Sequence, residues 1–233
     1  MYRKSASVFM MAALLTLGFV SHGQPAGNPN PGVLPIGSMP GGKTYGEWTA
    51  AWWQWALSIP ADRNPILDPT GEFCGEGQNG PVWFYAATFG NSAERSCTIP
   101  TGKMIFMPVF PCIFGAAVGD CEPIGSGPCD VPTLQAAAAA ATLAAEVLQV
   151  TIDGVPVQSI RDYRAFSPGP FSITFPEGAV FGLPAGTFFP NVSDGYWLML
   201  APLSRGEHTI EVFVSAPSVG IQELTVITHL TVE

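Results

Sequence analysis

Apolar residues recur at intervals of three and four from Tyr45 onward, at Tyr45, Trp48, Trp52, Trp55 and Ile59. At about 3.6 residues per turn these positions share one face of a helix. Thr44 stands three residues before Glu47, the order in which the hydroxyl accepts from a free backbone N–H and the carboxylate reaches back, and Pro60 ends the run. Trp53 falls off this stripe and projects from another face. Large rings bury about 150–250 Å² each, so the stripe is expected to pack as core. A second helix is expected over residues 130–149, where an unbroken alanine run covers 136–141 and Asp130 or Thr133 can cap the start. Alanine has the lowest intrinsic cost in a helix.

The remaining apolar runs are short and have the character of strands. Residues 82–86 and 103–109 are rich in aromatic and β-favouring side chains between Gly and Pro. In 207–214, His208, Ile210, Val212 and Val214 alternate with Thr209, Glu211 and Phe213. Joined to 196–201 by Pro-Leu-Ser-Arg-Gly, this predicts a hairpin with one buried face. Asp153-Gly154 predicts a tight turn between strands at 150–152 and 155–157, and 221–232 is expected as a closing strand. Ile99-Pro100-Thr101-Gly102, Phe175-Pro176-Glu177-Gly178 and Leu183-Pro184-Ala185-Gly186 each place Pro second and Gly fourth, as a type I turn prefers. Residues 61–81, dense in Asp, Pro and Gly, read as a long irregular loop. The pattern predicts a mainly β chain, an antiparallel β-sandwich of immunoglobulin-like or jelly-roll type with the Trp-rich and Ala-rich helices packed on it.

Ahead of the first helix, Met1-Tyr2-Arg3-Lys4 and an uncharged apolar run over 8–20, followed by Ser21-His22-Gly23, have the form of a secretory signal peptide cut before Gln24. The run is shorter than the ~18–20 residues of a membrane span. Residues 24–42, rich in Pro, Gly and Asn, are expected to be a flexible leader, and 43–233 a single domain. Loss of Arg3 and Lys4 with the signal takes the net charge of −9 to a mature value of −11, which disfavours nucleic acid and anionic membranes as partners. A secreted or periplasmic chain sits in an oxidising compartment, so the five cysteines read as two bridges and one odd thiol. The expected pairs are Cys74 with Cys97, and Cys112 with Cys121 or Cys129. No C-x-x-C pair occurs and His208 and His229 stand apart from the cysteines, so no metal is expected.

Three stretches carry a resemblance. Tyr45-Gly46-Glu47-Trp48 with Trp52-Trp53-Gln54-Trp55 is one; Gly80-Pro81-Val82-Trp83-Phe84 leading to Cys97-Thr98-Ile99-Pro100-Thr101-Gly102-Lys103 is the second. Asp194-Gly195-Tyr196-Trp197, continuing to Gly206-Glu207-His208-Thr209-Ile210, is the third. Together they resemble a group of exported, mostly bacterial proteins known chiefly as uncharacterised sequences. The resemblance covers roughly residues 44–214 and implies export, with no assigned reaction or site.

Candidate chemistry is sparse. No Gly-x-Ser-x-Gly elbow, phosphate loop or dinucleotide fingerprint occurs, so no cofactor is expected. His208 is expected as a satisfied core histidine on a strand face and not as a general base. Asp62, Asp68, Glu72 and Glu76 cluster without the spacing of a calcium loop. The expected role is therefore a non-catalytic binding or structural protein of the envelope or extracellular space, with a glycan or protein partner. Trp53, Trp83 and Trp197 are the rings expected to stack on that partner. The alternative is a carbohydrate-active enzyme using a carboxylate pair, with Glu47 and Asp68 as candidates.

Overall fold

The computed structural model describes residue 30 and residues 32–233; the expected signal peptide and most of residues 24–31 lie outside them. Helix α1 spans Tyr45–Leu57 and opens on the expected box. Thr44 Oγ1 accepts from the Glu47 N–H at 3.2 Å, and Glu47 Oε2 accepts from the Thr44 N–H at 2.8 Å. The Tyr45, Trp48, Trp52, Trp55 and Ile59 stripe is buried. Gly46 lets the helix start sit against the backbone of a neighbouring strand, since a Cβ there would lie 2.3 Å from the Phe166 carbonyl oxygen.

Two five-stranded sheets follow. The first holds β1 (Val82–Phe84), β3 (Met104–Gly115), β6 (Arg164–Phe166), β7 (Phe171–Phe175) and β8 (Gly186–Leu200) in the order β1-β3-β8-β6, with β7 also pairing β8. The second holds β2 (Ala93–Ile99), β4 (Val147–Ile152), β5 (Val155–Pro156), β9 (Gly206–Ala216) and β10 (Ile221–Val232) in the order β2-β10-β9-β4-β5. The chain is mainly β with sandwich-like packing, but the expectation of purely antiparallel sheets is corrected. β1 pairs β3 in parallel, and β2 pairs β10 in parallel. The cause lies in the connections. The Ile99–Gly102 turn carries the chain from β2 in one sheet to β3 in the other, so β1 and β3 are joined by a crossover and not by a hairpin.

The same switching corrects the predicted C-terminal hairpin. Residues 196–200 belong to β8 and residues 207–214 to β9, in different sheets; β9 instead forms its hairpin with β10. The Asp153-Gly154 hairpin is present as β4 and β5. Helix α2 (Val131–Leu143) is capped by Asp130, whose Oδ2 accepts from the Thr133 N–H at 3.0 Å. It ends before the expected Gln149, because residues from Val147 onward pair with β9 and the ladder overrides helix propensity. The described part of the segment expected as a leader makes contacts with β8. The Leu34 N–H donates to the Met199 carbonyl at 2.8 Å, the Ala201 N–H donates to the Gly32 carbonyl at 2.8 Å, and Val33 bridges Leu200.

The interior centres on β8, buried continuously from Phe188 except at Phe189. Trp197 stacks on Phe106 at 5.2 Å between ring centres and meets Trp52 edge-on at 5.5 Å. Gly195 is required beside it: a Cβ there would fall 2.6 Å from the Phe110 carbonyl oxygen. Two disulfides brace the loops. Cys74–Cys97 ties loop 61–81 to β2 as expected. The second bridge is Cys121–Cys129, so the expected pairing of Cys112 is corrected. Cys112 is fixed in β3 opposite Asp194 and turned toward Thr142 of α2, whereas Cys121 and Cys129 share one loop with their Cα atoms 5.3 Å apart.

Candidate functional site

Between the sheets and the C-terminal half of α1 lies a cavity of about 320 Å³. Its walls come from elements far apart in sequence. Trp52 and Trp53 enter from α1, Val109 and Phe110 from β3, Val212 and Val214 from β9, Leu224 and Val226 from β10, and Tyr85 and Phe89 from the segment between β1 and β2. The β9 contribution follows from its alternation, which turns Ile210, Val212 and Val214 to one buried face. On β3 the register breaks between Pro108 and Phe110, where proline has no N–H for the ladder, and this bulge lies in the cavity wall. No lining side chain is charged. A mostly apolar lining favours apolar molecules, and the volume is at the lower end of small-molecule sites.

Trp53 is the one predicted ligand residue that reaches this cavity, though it does so from a buried position and not from an open helix face; only 5% of it is exposed. Its neighbours all find acceptors: Trp48 donates to the Pro40 carbonyl at 2.8 Å, Trp52 to the Tyr85 carbonyl at 2.9 Å and Trp55 to the Glu76 carbonyl at 2.9 Å. The Trp53 Nε1 is enclosed with no hydrogen-bond partner among the described residues. At the rim, partly buried Phe89 meets Phe181 edge-on at 4.6 Å. Phe181 is 63% exposed and holds a left-handed backbone with φ 60°, a conformation that costs a bulky residue energy and gathers at ligand clamps.

The other predicted residues do other work. Trp83 is buried and lines the small space beneath loop 61–81, and Trp197 is fully enclosed, so neither offers a face to a partner. That is a correction, and its cause is that both sheet faces are covered where these rings stand. Glu47 is spent on the helix cap, where the Thr44 hydrogen bonds hold its carboxyl below the usual range. Asp68 accepts from the Thr70 N–H at 2.8 Å and from the Phe73 N–H at 2.9 Å. Burial raises its pKa, and these hydrogen bonds outweigh that and bring it below the usual value. Both carboxylates thus hold local backbone in place.

One further constellation has the residue types of a hydrolase. His208 Nδ1 lies 2.7 Å from Asp153 Oδ2, and its Nε2 lies 3.3 Å from Ser204 Oγ. The same Nε2 is closer to the Ser204 carbonyl oxygen, at 2.9 Å, which it can only approach as a donor. The hydrogen bond to Asp153, above all, raises the His208 pKa, and an Nε2 that donates to the Ser204 carbonyl has no lone pair for the serine. His208 is thus a latch between the β4–β5 turn and the entry to β9, hydrogen-bonded at both ring nitrogens with its side chain 10% exposed. Among the described residues no cluster of His, Cys, Asp or Glu could hold a metal ion, and no helix is long and apolar enough to cross a membrane.

Sequence reading missed Phe89, Phe110, Leu224 and Val226 because nothing local distinguishes a cavity wall from ordinary core. No family model, curated protein or solved structure matches the chain.

Proposed function

We propose that this is an exported, disulfide-braced binding protein that holds a small, uncharged, mainly apolar molecule between its two sheets without transforming it. The observation that carries the reading is the uncharged inter-sheet cavity walled by Trp53, Phe89, Phe110 and the β9 and β10 valines. Burying a charged group there would be costly without a partner, which selects neutral ligands. Two bridges support a chain made for an oxidising compartment. The engagement of Glu47, Asp68 and His208 in local latches supports a holding role.

Titration with the neutral fluorophore N-phenyl-1-naphthylamine tests this. Wild-type protein is expected to bind one equivalent saturably, with quenching of tryptophan emission. Val214→Phe projects a ring into the cavity and is expected to abolish binding, while its near-ultraviolet circular dichroism reports an intact fold. Failure of the wild type to bind, or undiminished binding by the folded variant, overturns the reading.

A further inference from the structure

A second pocket, with charged and polar side chains in its lining, opens between α2 and the line where β6 meets β8, with a volume of about 260 Å³. Gln135, Arg164, Phe166, Ser167, Ser193 and Asp194 line it, and Ala138 and Ala139 of α2 leave the space above them unfilled. Three observations meet here independently of the apolar cavity. Arg164 grips Asp194 through Nε at 2.9 Å and Nη2 at 2.6 Å, a planar and mutually neutralising pair whose carboxylate is 6% exposed. The Ser193 hydroxyl is enclosed with no hydrogen-bond partner among the described residues, although a buried polar group ordinarily has one. Phe166, on the last residue of β6, leaves 62% of its surface in solvent beside these polar groups.

We infer that this pocket binds a single uncharged sugar ring. Adjacent hydroxyls on such a ring each donate and accept, and they match a rigid carboxylate–guanidinium pair that presents acceptor and donor side by side. The Asp194 oxygens keep lone pairs beyond those given to Arg164, and Arg164 keeps N–H groups beyond the two it spends. Gln135 adds an amide with both functions, and the unpartnered Ser193 hydroxyl stands just behind the lining. The apolar face of a pyranose needs an aromatic plane, which Phe166 supplies at the rim. Charge decides against the alternatives: the pair neutralises itself, so neither an anion nor a cation finds a net opposite charge there, whereas a neutral polyol needs none. The volume lies just below the usual range for small-molecule sites, room for one ring with the rest of a glycan outside.

The test is calorimetric and saturation-transfer NMR titration of the whole protein with D-glucose, D-galactose, D-mannose and N-acetyl-D-glucosamine separately. At least one is expected to bind. Phe166→Ala and Gln135→Ala, both at exposed positions, are expected to keep the wild-type unfolding midpoint, and loss of the stacked face in the first to weaken binding about tenfold. Val214→Phe is expected to leave sugar binding unchanged, which separates this site from the apolar cavity. Binding by none of the four sugars overturns the inference, as does binding undisturbed in both folded variants. Displacement of a bound sugar by inorganic phosphate overturns it too, since it would mark an anion site.

Discussion

Trp52 and Trp53 are neighbours in sequence, both buried, and differ in one respect: the first indole N–H has an acceptor and the second has none among the described residues. Phenylalanine at either position removes the pyrrole edge, a loss on the order of 1 kcal/mol of apolar contact. At Trp52 it also strips the Tyr85 carbonyl of its buried donor, and an unsatisfied group of that kind costs about 1–3 kcal/mol, so Trp52→Phe is expected to destabilise by about 2–4 kcal/mol. At Trp53 the same change deletes a donor that is already unsatisfied. Relief of about 1–3 kcal/mol then offsets the lost contact, and Trp53→Phe is expected to be neutral or up to about 2 kcal/mol stabilising. Two chemically identical substitutions one residue apart should therefore separate by at least about 2 kcal/mol, a sizeable share of the ~5–15 kcal/mol that holds an ordinary domain together. Urea unfolding followed by far-ultraviolet circular dichroism measures this without relying on the altered fluorophores, provided the slopes agree. Equal destabilisation of the two variants would refute the reasoning. It would mean that the Trp53 N–H has a partner in solution, either the face of Trp52, which it meets edge-on at 5.0 Å, or water in a cavity that is not dry.

Three further outcomes are expected. Burial pushes the Cys112 thiol up to about 11, so native protein at pH 8 should resist iodoacetamide and take up one equivalent only on unfolding. Non-reducing peptide maps should recover Cys74–Cys97 and Cys121–Cys129, and a peptide linking Cys112 to either of the latter would contradict the fold. The His208 latch should make stability pH-dependent with a definite sign. The folded pKa of His208 is raised above its usual 6.5, so its contribution is full below that value and is lost as pH rises through the raised one. Asp153 is lowered from its usual 3.8, because its bonds to His208 and Thr209 outweigh burial, and its contribution is lost as pH falls through the lowered value. The urea-midpoint difference between wild type and His208→Gln should then be larger at pH 5.5 than at pH 9; a difference that grows toward pH 9 would refute the latch.

Residues separated by a few positions determined much of this protein without help. The Thr44–Glu47 cap, the α1 stripe, the Asp130 cap, the Asp153-Gly154 turn and the strand alternation of β9 each depend on neighbours that meet through one helical turn or one pleat, and all are present. The Cys74–Cys97 bridge was legible for a related reason, since both residues bracket one segment. Tertiary structure decided which sheet each strand joins, because a turn such as Ile99–Gly102 sets a change of direction but leaves open whether the next strand pairs beside the last or crosses to the facing sheet. The same limit explains the rest. Trp53 is buried because other elements cover a second side of α1, and Cys112 is free because β3 holds it away from the loop where its expected partners meet. Both pockets are assembled from side chains that approach only after the sheets have chosen their order, so the energy that shapes them comes from long-range packing, to which no local pattern along the chain corresponds.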